Sequence, residues 1–329
     1  MSRLLVLGAN SFAGSVFVDA SLSAGHEVRG VSRSLEGKHF FLPVKSNPKQ
    51  LNYRFYQCDL LSNMDVLFDL ITKFKPEYVI DFAGQGMVAE SWQNPHLWYE
   101  TNVLAKIRLH EFLRFQDSMI KYVRASTPEV YGNTEFSIHE GQPYNPSTPY
   151  AVSHASIDMS LMAFYRQYGF PVVLTRFANF FGPGQQLYRI VPKTILLALT
   201  GGRLSLHGGG TSIRAFIHAR DVASALLLVL EKGQIGETYH FSTSEFLTIK
   251  QAVERTLGLV GVDFNAVIDL SSDRPGKDMA YLMDASKAIT NLGWKPQFDF
   301  DAGVIHTIKW VRKNINEMCN LPWDYQHKN

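Results

Sequence analysis

Tyr150 and His154 stand one helical turn apart in the stretch Tyr150–Tyr168, whose patterning predicts a helix, so the phenol and the imidazole project from one face. Upstream, Ser126-Thr127-Pro128-Glu129-Val130-Tyr131-Gly132 closes a predicted strand, Met119–Ser126. Hydroxyls at the carboxyl end of a parallel strand face the ligand crevice of an open α/β sheet. A threonine hydroxyl, a phenol and an imidazole meeting there are groups that exchange protons with a substrate.

A glycine loop precedes them. Gly8-Ala9-Asn10-Ser11-Phe12-Ala13-Gly14 falls where the apolar run Leu4–Leu7 should turn into a helix, Gly14–Ala24. Such a turn lets a pyrophosphate approach the backbone and rest on the helix N-terminus. Gly8, Asn10, Ser11, Phe12 and Gly14 are therefore candidate cofactor contacts, with Ser11 where the Gly-x-x-Gly-x-x-Gly variant has its middle glycine. The second strand, Glu27–Ser32, runs into Arg33 and Ser34, and no carboxylate follows until Glu36. An NAD site usually places Asp or Glu here for the ribose hydroxyl. Ser32, Arg33 and Ser34 suit the 2′-phosphate of NADP instead, or Arg33 is a solvated loop residue; NAD stays open. Asp59 and Leu60 follow the third strand, Tyr53–Cys58, where they meet an adenine or Asp59 caps a helix. Ala83 and Gln85 follow the fourth strand, Tyr78–Asp81, and border the crevice.

The positioning elements alternate. Asp65–Phe74 and about Pro95–Phe115 read as helices and Pro171–Phe177 as a strand, which completes a doubly wound parallel sheet of Rossmann type. Residues 1–178 form the expected dinucleotide-binding domain, with about 215–243 returning to it. Residues 179–329 form a smaller α/β lobe for substrate. Asp221–Lys232 reads as a helix capped by Asp221, and the tail as short helices and loops. No linker or repeat divides the halves.

Composition sets the limits. The 329 residues are 46% hydrophobic and 19% charged, so a sizeable core forms and disorder is excluded as the main state. Lys plus Arg number 32 against 30 Asp plus Glu, which gives no support for a nucleic-acid or membrane-surface binder. Two cysteines make no disulfide framework and point to a reducing, cytoplasmic setting. The longest apolar run, Ala225–Leu230, is far short of the roughly 20 residues that span a bilayer. The start reads as a strand rather than a signal peptide. The eleven histidines show no paired metal-ligand spacing, so no metal site is expected.

The chain resembles the extended short-chain dehydrogenase/reductases of the sugar-nucleotide epimerase/dehydratase group over nearly its whole length. It is most similar to the nucleoside-diphosphate-sugar 4,6-dehydratases. Ser126–Gly132, Asn145–Tyr150, Arg176–Pro183, Ile213-Arg214 and Arg274-Pro275-Gly276-Lys277-Asp278 carry the likeness. It implies that Tyr150 takes the sugar O4 proton as hydride leaves C4, with Thr127 bonded to that oxygen. Glu129 then removes the C5 proton as the C6 hydroxyl departs, and the hydride returns to C6. The product is an NDP-4-keto-6-deoxyhexose.

The resemblance also implies substrate contacts. Arg214, Arg274 and Arg189 would face the diphosphate, Asn179 and Gln85 the substrate, and His207 the base; Tyr281 lines the pocket or packs. Two helices, about Pro95–Phe115 and Tyr150–Tyr168, carry Leu104, Ile107, Leu161, Met162 and Phe164, apolar beyond one stripe, and would form a four-helix homodimer. Two residues depart from the family. Pro128 replaces an aspartic acid that protonates the leaving hydroxyl. His154 replaces the lysine that lowers the tyrosine pKa and holds the nicotinamide ribose. An ordinary histidine gains charge only toward pH 6.5, so a lysine at 154 is expected to widen the pH optimum and speed C4 oxidation. The competing readings are a UDP-glucuronate decarboxylase-like enzyme, a 4-epimerase, or a catalytically impaired NAD(P)- and sugar-nucleotide-binding protein.

Overall fold

Leu4, Leu5, Val6 and Leu7 are all sealed from solvent, because both faces of their strand are covered. In the computed structural model, which describes residues 1–134, 136–271 and 279–326, that strand is β1 (Arg3–Leu7). It feeds α1 (Phe12–Ser23), followed by β2 (Glu27–Ser32), β3 (Tyr53–Gln57), α2 (Met64–Phe74) and β4 (Tyr78–Asp81). Then come α3 (Pro95–Tyr99), α4 (Ala105–Leu113), β5 (Lys121–Ser126), α5 (Pro149–Tyr168) and β6 (Val172–Phe177). The second half holds β7 (Asn179–Phe181), α6 (Ile190–Thr200), β8 (Leu204–His207), β9 (Ile213–His218), α7 (Ala219–Lys232) and β10 (Thr238–Phe241). It ends with β11 (Phe246–Thr248), α8 (Ile249–Val260), α9 (Phe264–Val267), β12 (Ile268–Ser271), α10 (Ser286–Leu292) and α11 (Phe300–Met318).

Seven strands make one parallel sheet in the order β10-β6-β5-β4-β1-β2-β3. Strand order reverses between β1 and β4, and such a switch point opens a crevice at the carboxyl ends of the strands. The glycine loop, the loop after β4 and the turn after β5 all leave the sheet at that end. Apolar side chains of α1 and α7 pack with the sheet in one cluster, and those of α2, α4 and α5 in another. A smaller lobe has a three-stranded sheet, β11-β9-β7, and a parallel pair, β8 with β12. Its core joins Phe181, Val191, Ile195, Phe216, Val304 and Val311 from β7, α6, β9 and α11.

Three elements differ from the sequence reading. The single helix expected over Pro95–Phe115 is two helices joined by a π-helical turn, Glu100–Leu104. Asp221 does not cap its helix, which begins earlier with His218 at the N-cap. The Asp221 carboxylate instead accepts from the Gln297 and Phe298 amides at 2.9 and 3.2 Å, docking the segment before α11. The tail is dominated by the 19-residue α11, one face of which buries Val304, Ile308 and Val311 at i, i+4 and i+7. No helix among the described residues is long and apolar enough to cross a membrane.

Candidate active site

The tight turn after β1 depends on glycine at two places. Gly8 has φ +78°, and a Cβ there would lie 2.8 Å from the Ala83 amide nitrogen. A Cβ on Gly14 would lie 2.2 Å from the Gly8 carbonyl oxygen. Ser11 caps α1 by accepting from the Gly14 amide at 3.1 Å. The loop borders a cleft of about 360 Å³ whose wall includes Gly8, Asn10 and Ser11 from the first turn. Ser32, Arg33 and Ser34 join them from the second, Asp59 and Leu60 from the third, and Ala83 and Gln85 from the fourth. Four sequence-distant loops therefore meet around one space.

Local bonds hold this wall. The Asn10 amide donates to Ser32 Oγ and Asn10 Nδ2 to the Ser34 carbonyl, each at 2.9 Å. Asn10 Oδ1 is buried without a partner. Asp59 Oδ1 accepts from the Leu61 amide at 3.0 Å, and Asn63, not Asp59, occupies the N-cap of α2. Glu36, the first carboxylate after β2, pairs with Lys45 at 2.6 Å. Two candidates of the first turn do not line the wall. Phe12 is buried in the core with its ring 5.8 Å from Phe180, and Gly14 is packed beneath the turn. Their contribution is to bring the turn close.

The cleft stops short of Tyr150 and His154, which Asn102 connects to it. Asn102 lies fully buried in the π turn. Its Oδ1 accepts from the Gln85 amide at 2.7 Å, while Nδ2 donates to the Gln85 carbonyl and to Ser153 Oγ, both at 3.1 Å. One side chain thus ties the loop after β4 to α5. The π turn has no sequence signature in our reading, and Asn102 was missed with it. Such turns recur at functional sites.

Thr127, buried at the N-cap of the short turn Pro128–Tyr131, hydrogen-bonds the Tyr150 phenol. Tyr150 and His154 have ring centroids 4.5 Å apart. The phenol's pKa is raised, first by burial and then by the charge of Glu129; the Thr127 hydrogen bond, Arg189 and Arg124 pull it down. His154 is 8% exposed, and burial followed by Arg124 and Lys106 drives its pKa well below the ordinary value. It therefore stays neutral through the pH range in which a histidine normally titrates. The expectation that mild acid charges it is corrected here: a fixed cation already occupies its flank.

That cation belongs to a buried network. Asp81 and Arg124 are register partners on β4 and β5, joined at 3.1 Å. Asp81 also accepts from Lys106 and, at 2.7 Å, from the Tyr122 hydroxyl. Arg124 Nη2 donates to His154 Nδ1 at 3.2 Å. Asp158 pairs with Arg176 at 2.9 Å. Burial raises the Asp81 carboxyl, but Lys106 and Arg124 overcome this and hold it at about 2. Burial, reinforced by Arg124, lowers Lys106 to about 7. None of these residues was a sequence candidate. The available signal was Asp81 closing the apolar strand β4 and Arg124 set between Val123 and Ala125 in β5.

The substrate candidates gather less tightly. The Arg214 guanidinium lies 4.4 Å over the buried Tyr281 ring and donates to the Ile213 and Met279 carbonyls at 2.7 and 3.1 Å. Arg189 is exposed at the start of α6, near enough for its charge to act on Tyr150. Asn179 is exposed on β7, and His207 ends β8 half-buried. Arg274 lies outside the described residues.

The family model described as GDP-mannose 4,6 dehydratase matches residues 5–307. The chain belongs to that family. Its fold is accordingly that of an extended short-chain dehydrogenase/reductase of the epimerase/dehydratase group. A dTDP-glucose 4,6-dehydratase of Streptomyces antibioticus is 33% identical over 95% of this chain and 93% of its own. The dTDP-glucose 4,6-dehydratase of Bacillus anthracis, solved with NAD, superposes with TM-score 0.86 at 30% identity, covering 96% of this chain and 98% of that one. A UDP-glucose 4-epimerase of Thermotoga maritima, solved with UDP-glucose, superposes equally well, with TM-score 0.86 at 28% identity over 95% and 99%. Fold alone therefore does not separate dehydratases from epimerases in this family. The chain spans about two fifths of the trifunctional UDP-glucose 4,6-dehydratase/epimerase/reductases of Arabidopsis thaliana, one of which is 32% identical over 83% of this chain and 41% of its own length.

Proposed function

We propose that the protein is an NAD(P)-dependent NDP-sugar 4,6-dehydratase, converting an NDP-hexose to an NDP-4-keto-6-deoxyhexose. The observation that carries this reading is Glu129, two residues past Thr127 and close enough to Tyr150 to raise its pKa. Exchange of configuration at C4 requires a tyrosine and a hydroxyl but no carboxylate at that place; elimination across C5 and C6 requires a base. The named dTDP-glucose 4,6-dehydratases at 31–33% identity over 95% of the chain support the same choice.

A nicotinamide dinucleotide fits the wall. The turn at Gly8 and Gly14 leaves no room for side chains, and Asn10 Oδ1 is a buried acceptor in need of a donor. When bound, the cofactor supplies a reversible two-electron acceptor. Tyr150 takes the proton from the sugar O4, and Thr127 donates to or accepts from that oxygen as charge develops. Glu129 receives the C5 proton. Pro128 has no proton to give, so the protonated Glu129 carboxyl becomes the nearby donor for the departing C6 hydroxyl, and the proton that C5 regains in the product balances the one Tyr150 took from O4. Neutral His154 orients the ribose through its ring N–H. The diphosphate meets Arg214 and Arg189, with Arg274 as the third cation; Asn179 and Gln85 face the sugar, His207 the base.

NADP is assigned at least equal standing with NAD, because Arg33 lies in the wall between Ser32 and Ser34 and Glu36 is paired with Lys45. A homodimer through α3, α4 and α5 accounts for Leu104 and Met159, which are 59% and 61% exposed. Leu161 is instead fully buried in the chain's own core and takes no part. The cytoplasm suits a chain whose Cys58 and Cys319 are unpaired. Mass analysis after incubation with dTDP-glucose, UDP-glucose, GDP-mannose and UDP-glucuronate tests the reaction. Loss of water from a hexose supports it. Loss of carbon dioxide from the glucuronate alone, or epimerisation without mass change, overturns it.

A further inference from the structure

A lysine ammonium one helical turn from the tyrosine is missing from this chain, yet positive charge is not. Five charged side chains meet where α5 packs on the sheet, each no more than 1% exposed: Lys106, Arg124 and Arg176 against Asp81 and, on α5 itself, Asp158. Three cations face two carboxylates. Arg124 is the member that touches the active-site helix, through Nη2 to His154 Nδ1.

An arginine has five N–H donors and no acceptor, so the nitrogen it meets must be unprotonated. His154 Nδ1 is therefore the acceptor, and the neutral ring carries its proton on Nε2. His154 is 8% exposed, so its ring keeps some access to solvent, behind which Arg124, at 1%, is sealed. We infer that Arg124 is a positioning residue that replaces the absent lysine in two respects: it fixes His154 as the Nε2–H tautomer, and it places a permanent charge behind Tyr150. The inference rests on the dehydratase reading only for what Tyr150 does. Lysine joins ribose binding and charge in one group; here His154 binds and Arg124 is charged.

The groups facing His154 are Arg124 on β5, Lys106 on α4, Asp81 on β4, Arg176 on β6, and Tyr150 and Asp158 on its own helix. Lys106 is the cation that can lose its proton near neutrality, whereas a guanidinium stays charged. The 3.2 Å hydrogen bond and 4.5 Å ring spacing keep the Arg124 guanidinium within about 9 Å of the phenol ring centre, where a unit charge at an effective dielectric of about 20 moves a pKa by at least about 1 unit.

Two measurements test this. The first is ring ¹⁵N NMR of the full chain with bound NAD, with His154 assigned by comparison with His154→Gln. We expect a neutral Nε2–H ring from pH 6 to 8. An Nδ1–H ring, or one that titrates in that range, overturns the assignment whatever reaction the protein performs. The second is the pH profile of single-turnover cofactor reduction with dTDP-glucose in wild type, Arg124→Lys and Arg124→Gln. The glutamine variant should move the alkaline-rising limb up by about one unit or more, losing about tenfold in rate below it, with KM little changed. The lysine variant, which keeps the charge, should hold the limb near its wild-type place, and it serves alone if the glutamine variant fails to fold. A wild-type profile in Arg124→Gln, or a limb displaced in Arg124→Lys as far as charge removal requires, overturns the charge role. Absence of cofactor reduction in wild type with every nucleotide sugar tried refutes the dehydratase reading and leaves the tautomer result standing.

Discussion

Replacing His154 with Lys restores the family residue, and it should harm the protein. The new ammonium would enter a site whose flank is occupied by Arg124, now 3.2 Å from the imidazole. Two unit charges about 4 Å apart at an effective dielectric of about 20 repel by about 4 kcal/mol. Asp81 and Asp158 offer little relief, because each is already engaged by a cation of its own. The lysine must therefore either lose its proton, its pKa falling about 3 units, or destabilise the fold by about 4 kcal/mol. For a chain of this length 1 kcal/mol corresponds to about 2 °C in Tm, so a loss of about 8 °C is expected near pH 7 and less at pH 9. The assay is thermal unfolding by near-ultraviolet circular dichroism for wild type, His154→Lys, Arg124→His and the double variant. The double variant moves the single cation to position 154. It should recover most of the loss, with a coupling of about 3 kcal/mol, at the high end for touching residues. If His154→Lys melts within about 2 °C of wild type, or the two substitutions add, the repulsion argument fails, and with it the reason why lysine at 154 should not speed C4 oxidation.

Glu129→Gln keeps the shape but removes the base: C4 oxidation, seen as reduced-cofactor absorbance, should survive while water loss slows by about 10²–10⁴-fold, and dehydration at the wild-type rate would refute the role. Arg33→Ala should weaken NADP binding more than NAD binding in direct titration; clearly tighter NAD binding that ignores the substitution contradicts the 2′-phosphate reading. Acid should unfold the protein early. His110, His154, His218 and His240 are all buried, and burial is the leading cause that lowers each pKa. With folded pKa values depressed, the unfolded state binds more protons below about 6.5, so stability present above that pH falls as pH drops. At pH 5.5 four such groups together cost about 6 kcal/mol, and a denaturant midpoint flat between pH 7 and 5.5 would show that the rings ionise in place.

Short-range sequence determined the parallel sheet. Unbroken apolar runs such as Leu4–Leu7 and Val172–Leu174 need cover on both faces, and the helices between them supply it. The glycine turn was legible for a similar reason: Gly8 and Gly14 are forced by contacts with residues near in sequence or at the neighbouring strand end. That Thr127, Glu129 and Tyr150 come together was legible because a strand end and a helix face fix direction within a few residues.

What only the tertiary structure decided is the state of the residue between them. Whether His154 is charged depends first on its burial, then on Arg124, 30 positions away, and on Lys106 and Asp81; sheet register sets Arg124 beside Asp81, and α4 brings Lys106 to the same buried layer. Coulomb interactions act through space at distances that the fold sets, and periodicity carries no trace of them. The same holds for Asn102, placed by a π turn that breaks helical spacing, and for Phe12, whose turn borders the cleft while its side chain belongs to the core. Sequence named the groups that can move a proton; the packing behind them set which of those groups carries charge.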